Sequence, residues 1–207
     1  MEPAIRVSRE LNASVVVGHQ ILPNKFDLSF TINLITNNQY EQKMVYERIK
    51  FMTESMFEST IFIKHGNPLL KVINGNFTNT YSQLHEEPYD SIVVDYLYLK
   101  AQAILENKAI IDQLSLSSWQ GREVEFYAEA EHDYSAYNKA SWIRKKDVKP
   151  WYLRSDIWIG DYRGDASDVP NWEDLGLGWK TPKDEKTQVI QFNKFKGKLV
   201  KGGKSAN

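Results

Sequence analysis

Apolar and polar positions alternate most cleanly in "FDLSFTINLI", where Phe26, Leu28, Phe30, Ile32 and Leu34 are separated by Asp27, Ser29, Thr31 and Asn33. A period of two puts the apolar set on one face and predicts a half-buried strand. "ASVVVGHQI" before it predicts a partner strand, with turn chemistry at Pro23 and Asn24. The period then changes. In "TNNQYEQKMVYERIKFMTESMFES", Asn38 followed by Glu41 fits an N-cap and capping box. Val45, Ile49, Met52 and Met56 fall on one helical stripe.

"TIFIKHG" predicts a short strand, and "NPLLKVINGNF" a second one with Asn-Gly turn chemistry. A second helix opens at "PYDSIVVDYLYLKAQAILEN", with Asp90 as its N-cap. Ile92, Tyr96, Leu99 and Ala103 make its stripe, and Val93, Leu97 and Ile104 widen it into a broad face suited to lying on a sheet. "AIIDQLSLSSW" and "REVEFYAEAEHDY" read as a hairpin with Gln120-Gly121 at its tip. The order predicts an α+β two-layer sandwich over residues 1–135: a mostly antiparallel sheet with two main helices.

Residues 136–207 differ in character and predict an extended, irregular C-terminal arm. Five of the six tryptophans lie between Trp142 and Trp179, and Pro150, Pro170 and Pro182 interrupt any regular element. From Thr187 onward there are lysines and no carboxylate side chain.

Composition narrows the function classes. The 207-residue chain is 42% hydrophobic, enough for a real core, and its net charge of −1 creates no global attraction to nucleic acid or membrane. The absence of cysteine excludes disulfides, thiolate metal sites and a cysteine nucleophile. No apolar run approaches a membrane span, and the mixed, charged start does not read as a signal peptide. The expected setting is therefore cytoplasmic, in a host cell or a virion.

The stretch "SWIRKKDVKPWYLR" interleaves cations with aromatic rings. Arg144, Lys145, Lys146, Lys149 and Arg154 are candidate phosphate contacts for single-stranded nucleic acid. Acidic "RSDIWIGDYRGDASD" follows at once, and such mixed signs suit protein-protein register better than phosphate tracking. Trp142, Trp151, Tyr152, Trp158, Trp172 and Trp179 are therefore candidate partner-binding anchors, docking on another protein or another copy. A loop that wraps its own core is the remaining reading.

Glu123, Glu125, Tyr127, Glu129, Glu131 and Asp133 share one face of the last predicted strand. That face is either solvated or an acidic surface for a basic partner, such as the lysine-rich tail of a neighbouring copy. His19, His65, His85 and His132 have no ligand spacing, so no metal or cofactor is expected, and no catalytic motif is present. Glu86 and Glu87 precede the second helix, where negative charge is favoured; they are also candidate ligand-anchoring carboxylates.

The order strand-strand-helix…helix-strand-strand over roughly residues 10–135, with acids before the second helix, resembles the tunnelling fold of pterin and queuosine-precursor enzymes. The resemblance implies oligomeric barrels and a purine- or pterin-anchoring acid at Glu86 or Glu87. The family's zinc-binding histidine motif and catalytic cysteine are missing. Separately, "EEPYDSIVVDYLYLKAQAILENKAIIDQLSLSS" resembles uncharacterised proteins of large tailed bacteriophages. The leading expectation is a non-enzymatic interaction or assembly protein forming a homo-oligomer. A single-stranded nucleic-acid binder and a tunnelling-type enzyme are the alternatives.

Overall fold

The computed structural model describes residues 4–76, 81–122, 124–138, 149–160 and 169–181. The chain begins with a long hairpin, β1 (Ala4–Val17) and β2 (Gln20–Leu34), followed by helix α1 (Gln39–Phe51), which runs into a π-helical turn at Met52–Met56. Then come β3 (Ile61–Lys64), helix α2 (Leu70–Asn76), β4 (Tyr81–Leu84), helix α3 (Asp90–Leu105), β5 (Ala109–Ser118) and β6 (Glu125–Glu129). One sheet takes all six strands in the order β4-β3-β1-β2-β5-β6. The fold class is α+β, as the patterning predicts.

The β1–β2–β5–β6 run is antiparallel throughout, whereas β1–β3 and β3–β4 are parallel. Phe26, Leu28, Phe30 and Ile32 are buried on one face, against Val45 and Ile49 of α1 and Val93, Leu97 and Ile104 of α3. Helix α2 covers the opposite face at one end only, where Ile73 packs with Val16, Ile61 and Ile63.

Several local expectations are corrected. The hairpin turns at Gly18, whose φ of +60° favours glycine, and not at Pro23 and Asn24, which lie inside β2. Pro23 is tolerated because β5 pairs with β2 only from Phe26 onward, so its missing N–H faces no ladder. "NPLLKVINGNF" contributes a helix, not a strand; it is the crossover that two parallel strands require.

Asn38 does cap α1, accepting from the backbone N–H of Tyr40 and Glu41, but Glu41 turns to Thr36 and Lys108 and does not close the box. Asp90 is no side-chain cap: α3 is preceded by Tyr89, and the Asp90 carboxylate accepts from Ser118 Oγ at 2.6 Å. β6 ends at Glu129, so Glu131 and Asp133 lie beyond the strand; Glu123 lies outside the described residues.

Among the described residues, packing continues past residue 135. Trp151, Tyr152, Ile159 and Trp172 belong to the same buried cluster as the sheet and helices. Helix α3 is thus covered on two sides, by the sheet and by the arm. This explains why Val94, Tyr98, Lys100, Ala101 and Leu105 are buried beyond the predicted stripe.

Candidate functional site

The arm is fixed by two cations that point inward from the helices. Lys100 of α3 is fully buried. The three N–H groups of its Nζ serve four backbone carbonyls of the arm, one N–H being shared: those of Trp151 (3.1 Å), Arg154 (2.9 Å), Asp156 (2.6 Å) and Trp158 (2.9 Å). An irregular buried segment must find partners for its carbonyls away from any ladder, and one ammonium serves four of them. Burial pushes this ammonium down to about 7, with the Asp156 carboxylate, 4.0 Å away, acting in the opposite direction. Hydrogen bonding from the charged form also favours keeping the proton.

Arg48 of α1 performs the same task for the second arm segment. It is 1% exposed and donates to Leu177 O at 3.0 Å, Ile104 O at 2.8 Å and Glu106 Oε1 at 3.1 Å. Its guanidinium carbon sits 4.4 Å from the ring centroid of Trp172 and 3.7 Å from that of Trp179, within cation–π range of both.

Among the described residues, the predicted partner-binding anchors Trp151, Tyr152 and Trp172 are buried within their own chain, where they are not presented to a partner; Trp142 lies outside the described residues. Trp151 stacks on Tyr96 and donates its Nε1–H to Gln83 O at 3.0 Å. Tyr152 donates to Tyr137 O at 2.7 Å, and Trp172 to Ser155 O at 2.6 Å. Trp158 and Trp179 are half-buried against the same core. The physical reason is the apolar outer surface of α3, which the sheet alone leaves uncovered.

The nucleic-acid candidates are not gathered by the described residues. Arg144, Lys145 and Lys146 lie outside them. Lys149 is exposed, whereas Arg154 is paired with Asp156, with Nε donating to Oδ2 at 2.8 Å. Glu86 is exposed with its carboxylate 3.6 Å from His85 Nε2, and Glu87 accepts from Gly18 N–H at 3.4 Å. Glu87 thus stands beside the β1–β2 turn. Among the described residues no three His, Asp or Glu side chains converge to hold a metal ion.

The open surface lies at the other end of the sheet. β1, β2, β5 and β6 expose one face that no described helix covers. Its rows follow the register: Ser8, Ser29, Ser115 and Tyr127 in one, Glu10, Asp27, Ser117 and Glu125 in the next. Glu10 pairs with Lys25 at 2.8 Å. A shallow depression here is lined by serine hydroxyls and carboxylates. Trp119, 77% exposed, stands on the same face beside Lys25 and Asn12.

Both edges of this four-strand run are open among the described residues. β3 pairs with β1 only at Ser14–Val16, which leaves Ala4–Glu10 without a neighbour on that side. Ser14 N–H bonds to Thr60 O, away from β2, so by alternation Arg6, Ser8 and Glu10 also turn their backbone groups to the free side. At β6, Ala130 N–H bonds back to Asp112 O, so Glu125, Tyr127 and Glu129 face outward. His132 N–H occupies the Glu129 carbonyl.

Sequence reasoning missed Lys100 and Arg48. The signal was available: Lys100 stands four residues from both Tyr96 and Ile104, and Arg48 stands between Val45 and Met52, so each cation lies on an apolar stripe.

No family model and no curated protein matches this chain. Among solved structures, it is similar to the uncharacterised protein WS1659 from Wolinella succinogenes, at 4% identity and a TM-score of 0.44. That similarity covers 62% of this chain and 99% of the other. No described helix is long and apolar enough to cross a membrane.

Proposed function

We propose that this chain is a non-enzymatic assembly protein that joins copies of itself head to tail, β6 of one copy adding to β1 of the next. The observation that carries this reading is the pair of open edges bounding one antiparallel run. β1 and β6 run in opposite directions, so an added copy continues the antiparallel pattern across the junction. A contact between unlike surfaces, repeated by rotation, closes a ring. Its inner wall is then the polar face with Ser8, Ser29 and Ser115.

Side chains support the pairing. Arg6 stands on the β1 edge, and Glu125 and Glu129 on the β6 edge; opposite charges across strands are stabilising. The tunnelling-fold resemblance implies barrels by the same element order. The arm serves the fold of its own chain in this reading, because Trp151, Tyr152 and Trp172 are buried there.

The test is the mass of the full chain by size exclusion with light scattering over a range of concentrations. Ser8→Pro removes an N–H that faces only the free edge, so it blocks the junction while leaving the β1–β2 ladder intact. The wild type should show a defined oligomer that Ser8→Pro reduces to monomer. Identical elution of the two proteins at every concentration would remove the reading.

A further inference from the structure

We infer that the uncovered face of the sheet binds a neutral, hydroxyl-rich chain, a linear hexose oligosaccharide, with Trp119 as its stacking platform. The inference goes beyond the head-to-tail reading and does not rest on it, because the row that holds Trp119 and Asn12 lies past the free stretch of β1.

A lone exposed ring is ordinary on a protein surface. Trp119 differs in how its backbone is held. Its N–H donates to Lys25 O at 2.9 Å. The turn that follows is tied down on both sides: Asn24 Oδ1 accepts from Gln120 N–H at 3.1 Å, and Ser118 Oγ accepts from Gly121 N–H at 2.9 Å. Ser118 is fixed in turn by its hydrogen bond to Asp90. A ring mounted on such a frame loses little freedom when a ligand lies on it.

The depression beside the ring has a volume of about 380 Å³, inside the range of roughly 300–1,000 Å³ that small-molecule sites occupy. Asn12, Ser14, Asn24 and Lys25 line it, so amide, hydroxyl and ammonium groups both donate and accept there. Asn24 is 5% exposed, and its Nδ2 has no hydrogen-bond partner among the described residues. A buried donor of that kind calls for a water or a ligand group.

Charge selects the ligand class. Lys25 stands next to the ring, and its ammonium disfavours a cation laid there. Glu10, 2.8 Å from Lys25, shares the next row with Asp27, Ser117 and Glu125. Those three carboxylates repel the phosphates of a nucleic acid. With both signs this close, an uncharged ligand meets the least opposition. Sugar hydroxyls donate to the carboxylates and accept from the amides, while the apolar face of a pyranose covers the Trp119 ring.

A second ring sets the length. Rows on one face of a strand are roughly 7 Å apart. Two rows beyond Trp119 stands Ser115, with Tyr127 opposite it on β6, 52% exposed. A chain of sugars can run from one aromatic ring to the other over Ser117, which a single sugar could not span.

The experiment titrates maltohexaose, cellohexaose and chitohexaose into the full chain by calorimetry. At least one should bind. Trp119→Ala should weaken that binding roughly tenfold or more, and Trp119→Phe, which keeps a ring, should hold it within about threefold. Unchanged circular dichroism of both variants confirms that the fold is intact. A thymidine oligonucleotide and an oligolysine peptide are titrated in parallel. If either binds through Trp119 and no saccharide does, the ligand class is overturned. Saccharide binding that Trp119→Ala leaves unchanged would overturn the site, and failure of all three saccharides to bind would overturn the inference as a whole.

Discussion

β4 and β6 are the two edge strands of one sheet, four and five residues long, and they are finished in opposite ways. Over β4 lies the irregular arm: Trp151 Nε1–H meets Gln83 O, Ser82 Oγ donates to Ile159 O at 2.7 Å, and Gly160 approaches Tyr81 O. β6 has no such cover among the described residues, and its outward side chains are charged or phenolic. A ladder can be replaced at an edge by an aperiodic segment, provided that the segment's own carbonyls are satisfied. Lys100 meets that condition for the segment over β4.

The largest expected effect tests whether the β4 end depends on its ammonium. Lys100→Met keeps the length of the stem and removes the donor that four arm carbonyls share, of which Trp151 O also accepts from Arg154 N–H at 3.3 Å. Stability in urea should fall by roughly 3–5 kcal/mol, the scale for removing one partner from a buried charged network. Protease should then cut within residues 149–160 before the rest of the chain. A loss below about 1 kcal/mol would mean that the aromatic rings alone hold the arm, because surface substitutions are usually within about that range.

Arg48→Met comes next, at roughly 2–4 kcal/mol, since it removes two ring contacts and two carbonyl hydrogen bonds. Glu106→Gln tests the remaining partner. Its side chain is 39% exposed, so its loss should stay under about 1 kcal/mol. A Glu106 effect as large as that of Arg48 would shift the weight of this lock from the tryptophans to the ion pair.

Acidity offers a smaller lever on the same end. Burial brings Lys100 down to about 7 in the folded chain, from 10.5 in the unfolded one. Between those values the unfolded chain binds more protons, so stability climbs as pH rises through that window and levels above it. Below about 7 both states hold the proton and Lys100 adds no slope. The difference between wild type and Lys100→Met, followed by urea titration at several pH values, should carry this rise. A flat difference would show that the four carbonyls offset the burial entirely.

Much of the sheet was legible because its strands bury one face. The alternation from Phe26 to Leu34 is the buried pattern of β2, and the Val45, Ile49, Met52 and Met56 stripe is buried as read. β4 was invisible: Ser82 and Gln83 are polar yet buried, because arm and sheet close over them on both sides. α2 is hidden in the sequence because Asn-Gly chemistry outweighs a short helix that buries Ile73 and packs Leu70 against the same cluster. The arm was read as separate from residue 136 because aperiodic tryptophans carry no face information. Their destination is set by what α3 leaves uncovered, and the charged residues on the helix stripes were the one local clue to it.

The smallest effect separates the two ends most cleanly. Trp119 and Trp151 are the same residue type on one chain, 77% and 3% exposed. Trp151→Ala empties a site among Phe57, Tyr96 and Tyr152, with a loss of roughly 3–5 kcal/mol expected for a buried tryptophan. Trp119→Ala removes a ring standing over Lys25 and Asn12 at the mouth of a shallow depression, and should change stability by no more than about 0.5 kcal/mol. Both are read by urea denaturation of the Ser8→Pro protein at concentrations where light scattering gives the mass of one chain, so that no neighbouring copy covers Trp119. If Trp119→Ala then costs more than about 1 kcal/mol, the uncovered face is already closed within a single chain, and the contrast between a sealed and an open end fails.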